Sequence, residues 1–255
     1  MLFKTDSLAS IWKVTPSGVL HVGAHKAEES CDYERLNWGH VIWVEAQPDL
    51  AAELKRKLDP QKNEVINAAI WGESGLVLNF KVSNNTESSS LLEFGTHKDD
   101  YPDISMTDSY QVITSTLEDI LEKSSAFDFL NLDIQGVELE ALQGLGSHFE
   151  KIRWIYTEVN KGEVYKNCAQ VSEIDAFLKT KGFKRIATRW VRNQGWGDAL
   201  YIQENVSISL ISRIRSIIDY VRWIESQHPS IQRNIKALLS RLHLTENKHS
   251  GKKKV

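Results

Sequence analysis

Apolar positions along this chain fall into short runs broken by turn residues, and the runs alternate between the periods of strand and helix. Val19-Leu20-His21-Val22 and Val41-Ile42-Trp43-Val44 are compact runs of strand length. Between and after them the spacing changes: Leu50, Ala51, Leu54 and Leu58 recur at the 3.6-residue period of a helix that Pro48-Asp49 opens and Asp59-Pro60 stops. Residues 65–70 predict a third strand, and a turn at Gly72 and Gly75 leads into an antiparallel partner over 76–80. The polar stretch 83–109 has no clear period and is long for a connection inside one domain, which predicts a functional or mobile loop. Residues 111–114 resume a strand, and Thr116 with Asp119 outlines a capping box for a helix over 117–121.

The strongest buried-strand pattern is 127–134, bounded by Gly136 and followed by a helix over 137–145. Residues 152–159 predict the next strand, Val171, Ile174, Phe177 and Leu178 a helix ended by Gly182, and 183–187 and 199–203 two final strands. Strands that alternate with helices and finish antiparallel predict an α/β fold with a mixed sheet covered by helices. Beyond Asn205, Ile208, Ile211, Ile214, Ile218, Val221 and Ile224 share one helical face, and after Pro229 a second helix is expected from Ile231, Ile235, Leu238, Leu239 and Leu242. These faces are expected to pack on their own domain or on a second copy, making a homodimer through the C-terminal helices plausible in preference to a membrane surface. The expected organisation is a lead-in over 1–17, a domain over 18–204, a helical extension over 205–246 and a disordered basic tail over 247–255.

Composition narrows the class. At 255 residues the chain has room for one α/β domain of about 200 residues and an appendage. No run approaches the roughly 18 apolar residues that cross a bilayer, and residues 1–6 do not open a signal peptide, so the expected compartment is the cytoplasm. Cys31 and Cys168 are too few and too far apart for a zinc site or a disulfide framework. From Asn205 onward ten Lys/Arg face three Asp/Glu, a balance of +7 that leaves −10 on the rest of a chain whose formal charge is −3. An acidic body is a poor match for nucleic acid, whose affinity rests on neutralising phosphates.

Candidate chemistry begins at the turn Gly23-Ala24-His25-Lys26-Ala27-Glu28-Glu29, which joins the first strand to a helix, and at Glu45, which ends the second strand. Strand, glycine turn, helix and a strand ending in an acid form the half-site that holds a nucleoside in doubly wound folds. A dinucleotide site needs further glycines to approach a pyrophosphate. Here those positions carry His25 and Glu28, and carboxylates repel phosphate. A cofactor with a sulfonium and an ammonium but no phosphate tolerates them, which points to S-adenosylmethionine (SAM), with Glu45 on the ribose hydroxyls. In an open sheet the ligand sits beyond the carboxyl ends of the parallel strands, and Asp133 and Glu158 end two further strands there. Asp133 is either a substrate-facing acid, with Gln135 as a hydrogen-bonding neighbour, or a cap for the following helix, and the two roles are compatible. Asp133, Glu158 and Asn160 also offer three oxygen ligands to a divalent metal, but a cap and a substrate contact explain them without an ion, and none is expected.

The sequence resembles the FkbM family of SAM-dependent methyltransferases over residues 18–203. The resemblance rests on His21-Val22-Gly23-Ala24-His25, Val44-Glu45-Ala46-Gln47-Pro48, Asn67-Ala68-Ala69, Ser88-Ser89-Ser90-Leu91-Leu92 and, above all, Phe129-Leu130-Asn131-Leu132-Asp133-Ile134-Gln135-Gly136-Val137-Glu138. It implies a Rossmann-like class I methyltransferase fold with a mixed seven-stranded sheet, helices on both faces and a C-terminal helical extension. It also implies methylation of a hydroxyl on a sugar, glycan intermediate or secondary metabolite. The implied cofactor residues are His21, Gly23, Ala24, His25, Glu28, Glu45, Ala46, Asn67, Ala68, Ala69, Asp133 and Gln135, with Asn67 and Ala68 at the adenine. Removing the hydroxyl proton needs a base: Asp133 first, His97 second, Glu158 third. Ser89, Ser90, His97, Tyr101, Glu158, Trp196 and Asp198 are the expected acceptor contacts, the segment 88–102 acting as a lid. The alternative is a non-catalytic SAM-binding homologue or scaffold that joins a glycan-biosynthesis complex through its tail.

Overall fold

The computed structural model describes residues 1–122 and 125–227. The chain forms two compact units, 1–207 and 208–255. The predicted second C-terminal helix and the basic tail lie outside the described residues.

In the first unit the strands are β1 (Gly18–Val22), β2 (His40–Glu45), β3 (Asn63–Asn67), β4 (Ala69–Ile70), β5 (Val77–Ser83), β6 (Met106–Ser115), β7 (Phe129–Leu132), β8 (Trp154–Asn160), β9 (Phe183–Trp190) and β10 (Trp196–Gln203). Its helices are α1 (Thr5–Ser10), α2 (Ser30–Arg35), α3 (Pro48–Lys57), α4 (His97–Asp100), α5 (Leu117–Ile120), α6 (Glu138–Gln143) and α7 (Val171–Thr180); the second unit holds α8 (Leu210–Ser226). Seven strands form one mixed sheet in the order β3-β2-β1-β7-β8-β10-β9. The neighbours from β3 to β8 pair in parallel, and β10 runs antiparallel to both β8 and β9. This is the expected mixed sheet. The order reverses between β1 and β7, which opens the crevice where α/β sheets hold ligands.

Both faces of the central strands are buried, which is why they read as continuous apolar runs. Leu20 and Val22 join the main core with Ile42, Val44, Leu130, Leu132 and Ile155. The alternate residues face an aromatic layer, where His21 lies 4.8 Å from Trp43, Tyr33 stacks 5.2 Å from Trp38, and Trp38 meets Phe129 edge-on.

Several expected elements have other limits. The run 65–70 divides into β3 and β4, because Ala68 turns its N–H to the carbonyl of Glu45 and β4 leaves for a second sheet of order β4-β6-β5. β6 starts at Met106. Its early residues Thr107, Asp108 and Ser109 are exposed, so no apolar alternation announces a strand. The long polar segment is thereby shortened and partly ordered: Ser90 bridges Lys81, and Phe94 bridges Tyr165. Thr116 does cap α5, accepting the Asp119 N–H at 3.1 Å. The first seventeen residues, expected only as a lead-in, belong to the same unit and bury Phe3, Leu8 and Val14.

Candidate active site

The carboxyl ends of β1, β2, β7 and β8 and the start of β10 border two adjoining cavities. One encloses about 420 Å³. The other, at the β2 end, encloses about 60 Å³. Gly23, His25, Glu87, Asp133 and Gln135 line both.

At the β2 end the polar groups are tied to one another. Gly23 has φ +87°, and a Cβ there would lie 1.7 Å from the Asp133 carbonyl oxygen, so only glycine lets the β1 turn pass the β7 turn. The N–H groups of Gly23 and Ala24 both donate to the Val44 carbonyl, at 2.9 and 3.0 Å, which leaves neither for a phosphate. Glu45 is buried, and its two carboxylate oxygens accept the N–H groups of His25 (2.7 Å) and Gln47 (2.8 Å). Burial nevertheless lifts its pKa above the ordinary carboxylate value, against those two N–H groups. Ala46, Ala68, Ala69, Phe80 and Leu91 supply apolar walls for the small cavity.

Asn67 is not among the lining residues. Its amide donates to the carbonyls of Glu45 (2.8 Å) and Ala46 (3.1 Å), fastening the end of β2 to β3. A strap closes this end: Gln47 Nε2 donates to the Thr86 carbonyl at 3.2 Å, and His25 Nε2 shares a 2.8 Å hydrogen bond with Thr86 Oγ1. Ser89 lies on the small cavity, not on the larger one with the other expected acceptor contacts. Ser90 lines neither; its buried hydroxyl donates to the Gln135 carbonyl at 2.7 Å and holds the strap to the β7 turn.

The larger cavity is built differently. Asp133 accepts one side-chain hydrogen bond, from Gln135 Nε2 at 2.6 Å, and Gln135 also reaches Glu158 at 3.3 Å while accepting from the Tyr165 hydroxyl. Asp133 does not cap α6. The turn is held instead by Glu138, whose buried carboxylate accepts the N–H groups of Ile134 (3.2 Å) and Gly136 (3.1 Å). Burial pushes Glu138 up to about 8 and raises Asp133 as well. Glu158 and Asp198 are only 6% and 5% exposed and stand directly opposite each other in the β8–β10 register. Burial lifts Asp198 to about 6 and, with the neighbouring carboxylates, drives Glu158 well above its usual range. Asp198 accepts the Leu2 N–H at 2.6 Å and the Tyr156 hydroxyl.

Aromatic rings make the far wall. His97 stacks on Phe94 with centroids 4.2 Å apart, its Nδ1 is buried without a hydrogen-bond partner, and burial lowers its pKa, so the ring is neutral. The Tyr101 hydroxyl donates to Gln194 at 2.6 Å and accepts from Trp196 Nε1 at 3.3 Å. His21 lines the same cavity as a buried neutral ring whose pKa falls to about 4 through burial. Glu28 and Glu29 stand at the rim, and no Lys or Arg is among the described lining residues. Of the three candidate metal ligands, Asn160 does not reach the cavity. His25, Glu28 and Glu87 do have donor atoms within 4.8 Å of one another, with Glu28 and Glu87 exposed and His25 Nδ1 already 2.9 Å from Glu28.

Expected residues therefore converge: His21, Gly23, Ala24, His25, Glu28, His97, Tyr101, Asp133, Gln135, Glu158, Trp196 and Asp198 all border the larger cavity. Unexpected ones join them. Leu2 is pinned by Asp198 and by Arg189, whose Nη1 donates to the Leu2 carbonyl at 2.7 Å. Tyr165 comes from a stretch with no period. Glu138 did leave a signal, since it falls on the apolar face of its helix with Ala141, Leu142 and Leu145.

The model of the methyltransferase FkbM domain matches residues 21–185, which spans both the glycine turn and the Asp133 turn. The chain belongs to the FkbM methyltransferase family. No curated protein matches this FkbM methyltransferase. Among solved structures it is similar to magnesium protoporphyrin IX methyltransferase from Synechocystis PCC 6803 with bound SAH, at 10% identity over 78% of this chain and 80% of that one, with a TM-score of 0.46. It is also similar to the ribosomal protein L11 methylase of Lactobacillus delbrueckii subsp. bulgaricus, at 13% identity over 78% and 77% of the two chains, with a TM-score of 0.43. The FkbM domain is a SAM-dependent methyltransferase domain, and its donor set fits that cofactor. Glu45 closes an apolar slot, the turn amides offer nothing to a pyrophosphate, and the adjoining cavity is lined by carboxylates, which suit a cationic sulfonium and ammonium. Beside Glu45 the Tyr110 hydroxyl is buried without a partner, its pKa pushed up to about 12 by burial and then by Glu45 and Asp49. No described helix is long and apolar enough to cross a membrane.

Proposed function

We propose that this FkbM methyltransferase methylates a hydroxyl group of a sugar, glycan intermediate or secondary metabolite, with Asp133 as general base. The observation that carries this reading is the position of Asp133, which borders both the smaller slot and the larger cavity and whose carboxylate accepts one side-chain hydrogen bond among the described residues. SAM supplies an electrophilic methyl group when bound. Glu45 and the slot around Ala46 and Ala68 hold its adenosine, and Gly23 keeps the β1 turn close against the β7 turn.

The larger cavity suits a polyol. Tyr101, Trp196 and Tyr165 offer flat faces to sugar C–H groups, and carboxylates accept hydroxyl protons. Six carboxylates line the cavity, with the Met1 ammonium and no Lys or Arg among the described lining residues, a balance that disfavours acceptors that carry phosphate. Asp133 takes the hydroxyl proton as the oxygen attacks, and its raised pKa brings it nearer the working pH, where a base is most effective. His97 is a neutral acceptor on the opposite wall. Glu158 retains its proton and acts better as a hydrogen-bond donor to the acceptor than as a base. The segment from Ser88 to Pro102 acts as the lid that excludes water.

The deciding experiment is calorimetric titration with SAM of the wild type and Glu45→Ala, with NAD as a control, followed by assay of SAH release over neutral and phosphorylated sugars. Saturable SAM binding, weakened roughly 10- to 100-fold by Glu45→Ala, and turnover confined to acceptors without phosphate are expected. A folded protein that binds SAM and turns over none of the acceptors supports the non-catalytic reading instead.

A further inference from the structure

In the second unit, α8 starts cleanly, with Ser209 Oγ accepting the Ser212 N–H at 3.1 Å. Leu210, Ile211, Ile214, Ile217, Ile218 and Val221 fall on one side of it, in an arc of roughly 120°. All six are 47–72% exposed, an unusual density of bare aliphatic side chains for a surface helix. Arginines border the arc on both sides, Arg213 on one and Arg215 and Arg222 on the other, and the acids of the helix are Asp219 and Glu225.

We propose that α8 docks the enzyme in the plane of an anionic lipid surface. The apolar arc would enter the acyl boundary while the bordering arginines, with flexible apolar stems, reach back to phosphate headgroups. Charge selects this occupant. The chain from Asn205 onward carries +7 against −10 on the remainder, so the field that draws this end to an anionic surface repels the rest of the molecule from it. A second copy of the same helix is a poorer partner, because it would bring arginines against arginines with Asp219 and Glu225 alone to meet them. The proposal rests on the helix itself and is independent of which acceptor the enzyme methylates.

Co-sedimentation of the full-length protein with vesicles tests it, using phosphatidylcholine alone and with about 30% phosphatidylglycerol. Saturable binding to the anionic vesicles is expected, about tenfold weaker on the neutral ones and weakened by salt. The double variants Ile214→Ser/Ile218→Ser and Arg215→Glu/Arg222→Glu should each abolish it while leaving thermal unfolding and SAM titration unchanged. No binding, equal binding to both vesicles, or binding that survives either variant overturns the proposal. So does a wild-type dimer in sedimentation equilibrium that the isoleucine variant dissociates and that ignores vesicles, since the arc would then belong to a second copy.

Discussion

The two ends of the candidate site solve opposite problems with the same residue type. At the β2 end Glu45 is anchored by two backbone N–H groups, the turn amides are spent on Val44, and a strap through Thr86 leaves about 60 Å³. At the β7–β8–β10 end Asp133, Glu158 and Asp198 border about 420 Å³, and no Lys or Arg is among the described lining residues. An anchored carboxylate defines one ligand geometry, as a fixed cofactor requires. Asp198 is likewise held by the Leu2 N–H and the Tyr156 hydroxyl, whereas Asp133 and Glu158 meet only Gln135 Nε2 among the described side chains. Buried carboxylates so sparsely bonded are costly in the empty protein and remain available to a ligand. On the proposed function, the contrast separates a part of the site that recognises from a part that reacts.

Geometry at the anchored end should be the most sensitive. Gly23→Ala combines a positive φ with a Cβ 1.7 Å from a backbone oxygen, so neither a rotamer change nor a small shift relieves it. We expect a loss of more than about 4 kcal/mol of stability, read by urea unfolding. A loss below about 1 kcal/mol would show that the two turns move apart freely and that the contrast is not rigidly built. Asp133→Asn keeps shape and hydrogen-bonding capacity while removing the base. Turnover should fall by about 10²- to 10⁴-fold, with SAM affinity largely preserved in calorimetry. Equal losses of binding and turnover would move Asp133 to the recognising half.

Legibility in the sequence followed the same physics. β1, β2, β7 and β8 are buried on both faces, so their composition betrays them, and three of their ends carry the acids that mark the site. β6 was partly hidden, because its first residues place polar side chains toward solvent and leave no alternation to read. Asn67 and Ser90 stand where a ligand contact is expected, but their side chains donate to nearby carbonyls, a pairing that no local pattern encodes. Leu2 and Tyr165 reach the cavity through long-range contacts that no local pattern encodes. Glu138 was readable, an acid on an apolar helical face, and it turns out to hold the turn that presents Asp133.

Asp198 sharpens the comparison through pH. Its folded pKa of about 6 lies above the ordinary 3.8, so folding favours the protonated form. That contribution is fully present below about pH 3.8 and is lost as pH rises through about 6. The shift corresponds to about 3 kcal/mol. Asp198→Asn, whose amide oxygen can still accept from Leu2 and Tyr156, removes the cost of ionising. It should therefore stabilise the protein at pH 8 by up to about 3 kcal/mol and have little effect at pH 4 in urea titrations. Destabilisation at pH 8 would mean that the charge is already balanced in the folded protein.

The smallest effect is expected at the strap. Thr86→Ala removes the hydroxyl that meets His25 Nε2 and leaves the Gln47 bond to the backbone carbonyl in place. One neutral hydrogen bond contributes about 1 kcal/mol. If the strap closes the slot in the free protein, its loss destabilises the closed state and not the complex. SAM association in stopped-flow fluorescence should then quicken about fivefold, with affinity unchanged or slightly higher. Unchanged association with faster release would place Thr86 among the groups that hold the cofactor, and the anchored end would recognise its ligand through the strap as well as through Glu45.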